Sequence, residues 1–278
     1  MIRVFSTYLY FNQPLTPEVL RQIEAAELNH LEIFAGRYHF DYAERASVQQ
    51  MADWLADREL HLHSIHSPIY LDDESRRRSE HPISIAEPER VRRLEAVDEV
   101  KRVLEVAEVI PFRYLVQHLG LSHELFDQRK FDAAFNSLEH LCVFAKQRGV
   151  TIALENIPNE LSTAANLLTF IEQTHLRDLR ICFDAGHAHL EEGVAAAFSV
   201  LKELVVTMHL HDNLGDRDAH LFPYEGSIDW DAALKAFGQK AGELPFVLEL
   251  KDHSVAEPLR QAQEVFRRFE IALAAEPH

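Results

Sequence analysis

Cysteine is almost absent from this chain: there are two in 278 residues, Cys142 and Cys182. That excludes a disulfide framework and makes a reducing cytoplasm the natural home. Both cysteines lie within apolar runs, which predicts buried thiols. Long apolar runs are missing too. No stretch of about 18 apolar residues occurs, so no membrane span is expected. The start, Met1-Ile2-Arg3-Val4-Phe5-Ser6-Thr7, lacks the basic-then-apolar pattern of a signal peptide. Positive charge is scarce: 28 Lys and Arg face 45 Asp and Glu, for a formal net charge of −17. A general nucleic-acid-binding surface is basic, so that class is disfavoured and only a local basic groove has room. Length is what the chain has in plenty. A chain of this size buries about three quarters of its surface on folding. It needs no metal to fold, so any metal it binds is expected to serve chemistry.

Short β-rich runs alternate with longer amphipathic stretches. The runs are Ile2–Tyr8, His30–Phe34, Leu60–His66, Tyr114–Leu119, Val150–Glu155, Leu179–Asp184, Val205–His211 and Phe246–Leu250. Between them the spacing predicts helices over Pro17–Ala26, Val48–Arg58, Pro88–Val109, Phe131–Arg148, Ala164–Thr174, Ala195–Leu201 and Trp230–Gly238, with Glu257–Ala274 closing the chain. Eight strand–helix units in strict order favour a (β/α)8 barrel over a doubly wound sheet, as a single domain across residues 1–278. Two connections are long, Ser67–Glu87 and Asp212–Asp229. Both follow strands and so fall on the face where such barrels keep their active sites. The run Arg76-Arg77-Arg78 in the first reads as a solvated loop, or more sharply as a contact for a phosphate or carboxylate.

Strand alternation sorts the side chains. Val150, Ile152 and Leu154 face the helices, while Thr151, Ala153 and Glu155 face inward. Leu179, Ile181 and Phe183 face out, and Asp184 ends its strand inside. Val206, Met208 and Leu210 face out, with His209 and His211 inside. Phe246, Leu248 and Leu250 face out, with Glu249 inside. Four consecutive strands thus bring Glu155, Asp184, His209 and Glu249 to one rim. Unpaired, these groups would repel, and a divalent cation removes that problem. The mixed oxygen–nitrogen set suits zinc, manganese, cobalt or magnesium. His66 and His118 end their strands with the same inward phase and extend the set. His61 and His63 have the opposite phase. His187 follows Asp184 within one turn, and Asp218 and His220 lie on the second long loop. Glu32 ends the second strand, where it can orient a ligand from behind.

The motifs His66-Ser67-Pro68, Ala153-Leu154-Glu155-Asn156, Phe183-Asp184-Ala185-Gly186-His187, His209-Leu210-His211-Asp212-Asn213 and Leu248-Glu249-Leu250-Lys251 resemble those of the xylose-isomerase-like TIM barrels. Asp218-Ala219-His220-Leu221 and Glu225-Gly226-Ser227-Ile228-Asp229-Trp230 resemble the sugar-phosphate isomerase/epimerase branch. Resemblance to the ketose epimerases implies one divalent metal on Glu155, Asp184, His209 and Glu249, with His187 at the substrate. Resemblance to endonuclease IV implies three zinc ions on the same four plus His66, His118, His187, Asp218 and His220. All nine positions carry a suitable residue, which argues for two or three metals. The first-strand loop, Ser6-Thr7-Tyr8-Leu9-Tyr10-Phe11, and the loop after His118 depart from the endonuclease.

The leading expectation is a zinc- or manganese-dependent isomerase or epimerase. It would act on a carbohydrate-like small molecule through an enediolate-type mechanism, with the metal as Lewis acid. Glu155 and Glu249 would be the acid/base pair, with His187 as a further catalytic contact and Arg217 and His211 binding substrate. The alternative is a multinuclear phosphodiester hydrolase, abasic-site DNA included. A metal-binding protein without catalysis is the third class. The oligomeric state is left open.

Overall fold

In the computed structural model, which describes residues 1–78, 80–251 and 255–275, eight parallel strands close into a barrel in sequence order. They are β1 (Ile2–Ser6), β2 (His30–Phe34), β3 (His61–His66), β4 (Tyr114–His118), β5 (Thr151–Glu155), β6 (Arg180–Asp184), β7 (Val205–Leu210) and β8 (Pro245–Leu248). The helices are α1 (Pro17–Ala25), α2 (Arg45–Leu55), α3 (Asp73–Arg78), α4 (Arg90–Glu105), α5 (Gln128–Lys146), α6 (Ala164–Thr174), α7 (Ala185–Glu191), α8 (Val194–Leu201), α9 (Trp230–Phe237) and α10 (Pro258–Ala275). None is long and apolar enough to cross a membrane among the described residues.

The helices begin where side chains can satisfy their free amides. Thr16 accepts from the Val19 amide ahead of Pro17, Thr163 accepts from Asn166, and Asp229 accepts from Ala232. Expected and observed elements agree to within a few residues. Differences arise where the backbone leaves regular structure. Tyr8 lies in a 3-10 turn, Thr7–Tyr10, rather than in β1. Glu249 and His211 lie just past β8 and β7. The short α3 and α7 fall inside stretches expected to be loop or turn.

The main core lies between strands and helices. It takes Ile152, Leu154, Leu179, Ile181, Phe183, Met208, Leu210, Phe246, Leu248 and Leu250, as alternation predicts. Two irregularities break that alternation. Leu31 pairs with Leu62 but Glu32 pairs with Ser64, so His63 is skipped and both Leu62 and Ile65 face the helices. Ile181 pairs with Val205 but Cys182 pairs with Thr207. Val206, expected to face out, therefore packs inside on Val116, Ala153 and Cys182. A bulge shifts phase by one residue, and a hydrophobic pattern does not reveal it. Of the two cysteines, Cys182 is buried as expected, but Cys142 is only partly so, packed against the edge of the core from α5.

His39 ties the loop after β2 to β1. Its Nδ1 donates to the Gln13 carbonyl at 2.6 Å, and its Nε2 lies 3.0 Å from Thr7 Oγ1, which accepts from the Phe34 amide at 3.1 Å. In the neutral ring Nδ1 keeps its proton for Gln13 and Nε2 accepts from the Thr7 hydroxyl. Burial pushes the imidazole down to about 4, against the bond to Gln13. A folded value below the unfolded 6.5 means that stability present above about pH 6.5 is lost as pH falls toward 4. Between those limits, His39→Gln should flatten the stability-versus-pH slope by up to about 1.4 kcal/mol per pH unit, one proton's worth. Urea melts of both proteins across this window measure it; equal slopes would remove His39 from the acid response.

Candidate metal centre

At the C-terminal end of the barrel, three groups of ligand-type side chains converge, each with its donor atoms within 4.8 Å of one another. They are His66, His118 and Glu155; Glu155, Asp184, His209 and Glu249; and His187, His211, Asp218 and His220. Glu155 belongs to two of them. All nine residues expected as ligands are thus gathered here. His211, expected at the substrate, is a fully buried member of the third group. Arg217 lies outside all three groups, exposed on the loop between β7 and α9.

Local structure explains each placement. Asp184 ends β6 and caps α7: its Oδ1 accepts from the His187 amide at 2.6 Å, and its Oδ2 faces His211 Nε2 at 3.1 Å. One residue thus starts the helix and turns His187 back over the barrel. Gly186 is required because a Cβ there would meet the His211 ring at 2.0 Å. Asn156 clamps β5 to β6, donating to the Asp184 carbonyl and accepting from its amide, both at 2.8 Å. The loop after β7 is gathered by Asp212, which sequence reasoning missed. Its carboxylate accepts from the amides of Asn213, Tyr224 and Ile228 and from Trp230 Nε1 at 2.8–3.1 Å. The motifs around Asp212 and Trp230 were each visible, but nothing in the spacing joined them. The loop holds Asp218 and His220, the latter in the left-handed region at φ 47°.

Four imidazoles have their outer N–H committed, which fixes the tautomer by partner. His66 Nδ1 donates to the Ser67 carbonyl at 2.7 Å, His187 Nδ1 to Asn156 at 3.1 Å and His220 Nδ1 to Glu249 at 2.9 Å. His209 Nε2 donates to Glu32, which is 3.0–3.1 Å away and also accepts from Ser64 Oγ. Each neutral ring then aims a lone pair inward, at carboxylates. His66 Nε2 and His118 Nε2 lie 3.2 and 3.0 Å from Glu155 Oε2, and His209 Nδ1 lies 3.1 Å from Glu155 Oε1. Lone pairs facing carboxylates repel unless a cation stands between them. Glu249 Oε1, His211 Nδ1 and Asp218 Oδ1 are buried without a hydrogen-bond partner. This donor set fits divalent metal ions.

Without a metal, protons do part of that work. Burial opposes ionisation of Glu155, but His209 and His118 hold its carboxyl well below the usual range. Burial likewise opposes protonation of His209 and His187. The carboxylates of Glu32 and Glu155 overcome it at His209, and those of Asp184 and Asp218 at His187, raising both well above normal. Burial pushes Glu249 up to about 7, with His209 opposing and Glu155 adding. Burial lowers His220 to about 4, aided by His211.

An aromatic wall borders these groups. Phe34 stacks on His66 at 4.2 Å and on Tyr8 at 4.6 Å, and Tyr8 lies 5.1 Å from His220. In the sequence, the segment around Tyr8 stands out only as a departure from the endonuclease pattern.

The sequence profile described as xylose isomerase-like TIM barrel matches residues 20–270. The protein y4fM of Sinorhizobium fredii is 25% identical over 70% of this chain and 68% of its own length. A D-tagatose 3-epimerase-like protein superposes with a TM-score of 0.80 at 20% identity, covering 99% of this chain and 98% of that one. The IolI protein with a bound zinc atom superposes at 0.74 and 15% identity, covering 99% and 98%.

Glu32 tests the geometry. Glu32→Gln keeps every inward donor but weakens the grip on His209. Affinity for zinc at the quartet should fall about 10–100-fold, the usual effect of losing such a partner. Competition with a chromophoric chelator reads it. Unchanged affinity would mean that His209 is not a ligand.

Proposed function

The chain belongs to the xylose isomerase-like TIM-barrel family, and on that premise we propose that it is a divalent-metal-dependent isomerase or epimerase of a sugar or sugar phosphate. One observation carries the reading: Glu155, Asp184, His209 and Glu249 converge, almost wholly buried, from four successive strand ends. The name of the D-tagatose 3-epimerase-like neighbour supports a sugar substrate, and the zinc in the IolI structure supports a metal in this fold. Zinc or manganese suits the mixed donor set and, when bound, supplies Lewis acidity at a carbonyl and its neighbouring hydroxyl.

The chain's own residues do the rest. Glu155 and Glu249 meet in the quartet from different strands. One takes the proton from carbon and the other returns it. His187, 7% exposed, and Arg217 on the loop bind hydroxyls or oxyanions of the substrate, and His211 holds Asp184 in place. Tyr8, backed by the buried Phe34, offers an apolar face to the C–H side of a sugar and keeps water from the proton in transit.

A second reading draws on the fact that Glu155 is shared by two groups, with a third alongside. Two or three metals would suit a phosphodiester hydrolase, abasic-site DNA included. Metal counting separates site classes first. Zinc-loaded protein should carry more than one ion per chain, and His66→Ala/His118→Ala should lose one. A stoichiometry of one in both proteins sinks the multinuclear centre.

The reaction is tested in D2O. Incubating a panel of ketoses and ketose phosphates should yield an epimer or an aldose–ketose pair by NMR, with deuterium at the reacting carbon. Glu249→Gln should lower turnover about 10²–10⁴-fold, the range for a general acid or base. Efficient metal-dependent incision of an abasic-site duplex would overturn the proposal in favour of the hydrolase.

A further inference from the structure

The opposite end of the barrel holds a second constellation, which the proposed reaction does not use. Tyr114, Thr151 and Arg180 open β4, β5 and β6, and Arg113 precedes the first of them. Together with Cys142 and Lys146 of α5 they line a cleft of about 350 Å3. Three cations meet there. Asp178 is the carboxylate among the lining residues, and Lys146 holds it at 2.9 Å. That leaves two guanidiniums uncompensated within the lining, in a chain with 45 acidic and 28 basic side chains.

The guanidiniums are held in place. Arg180 Nη1 donates to the carbonyls of Arg177 and Leu179 at 2.9 and 2.7 Å. The Arg113 guanidinium lies 5.3 Å from the centre of the Tyr114 ring. Burial raises the Tyr114 phenol, while Arg113 and Arg180 both pull it down. Tyr114 itself is 6% exposed. Arg113 and Arg180 flank β5 from the two strands on either side of it, and an anion held between them over Thr151 offsets their mutual repulsion. Guanidinium forks beside hydroxyls match a tetrahedral oxyanion with several acceptor oxygens.

We propose that the cleft formed by Arg113, Tyr114, Lys146, Thr151 and Arg180 at the N-terminal end of the barrel binds phosphate, free or as a small phosphate ester. The volume admits the anion with a short carbon body. The site lies at the far end of the strands from the candidate metal centre, so its occupancy is separable from turnover.

Cys142 reports on the cleft from within. It lines the cavity and is partly exposed, whereas Cys182 is buried. Burial, then Asp178, pushes its thiol up to about 12, so labelling is slow and easily timed. The experiment follows maleimide labelling of Cys142 by mass spectrometry in the metal-loaded protein, with Cys142→Ser confirming the site. Inorganic phosphate and glycerol 3-phosphate are the two probes. At about ten times Kd, labelling should slow about tenfold. Arg113→Ala/Arg180→Ala should abolish protection, and Arg113→Ala, at an exposed position, should weaken it should the double variant fail to fold. Stronger protection by glycerol 3-phosphate assigns an ester; equal protection assigns the free ion. Absence of protection by either probe, or protection unchanged in the Arg113 variants, overturns the proposal.

Discussion

Glu155 is a carboxylate with no access to water. A lone charge in that position costs several kcal/mol, and the surrounding structure can be read as the answer to it. Imidazoles from β3, β4, α7 and β7 stand within 3.0–3.5 Å of its two oxygens. They compensate it only when they hold protons or share a cation with it. The order of the barrel strands and the abrupt start of α7 deliver positively charged or metal-ready nitrogen to the neighbourhood of this one residue.

The compensation is directional because each ring is gripped from outside. Carbonyls of Ser67, Asn156 and Glu249 and the carboxylate of Glu32 take the outer protons. A metal bound there would compete with protons for the same inward lone pairs, so its affinity would be tied to pH and its binding would release protons. The same buried carboxylates that would hold a metal also keep His187 and His209 basic in its absence.

Much of this was legible in the sequence because a strand has period two and a barrel has an inside. Glu155, Asp184, His209 and Glu249 could be read as one set from phase alone. Glu32 could be read as a support from the second strand, although it stands in the middle of β2 rather than at its end. The reading failed where phase failed. Val206 turned inward at a bulge that no pattern of apolar residues marks. His211 kept its inward phase, but its place against Asp184 and His220 depended on the bare backbone of Gly186. The aromatic wall and the hub at Asp212 lie on turns, where side-chain contacts are set by three-dimensional closure rather than by spacing.

Asp212 makes the segment from 213 to 229 behave as a cassette. Both its ends and its middle are fastened to one carboxylate, and Gly226 passes so close that a Cβ there would meet Asp212 Oδ1 at 2.2 Å. Sequence between the fastening points can vary in length and composition without unpicking β7 or α9. Recombination between relatives, or deliberate grafting of a new rim onto this barrel, would therefore succeed or fail at its seams. A donor segment that travels with its own aspartate, glycine and tryptophan carries its fold with it, whereas one cut inside them arrives unanchored.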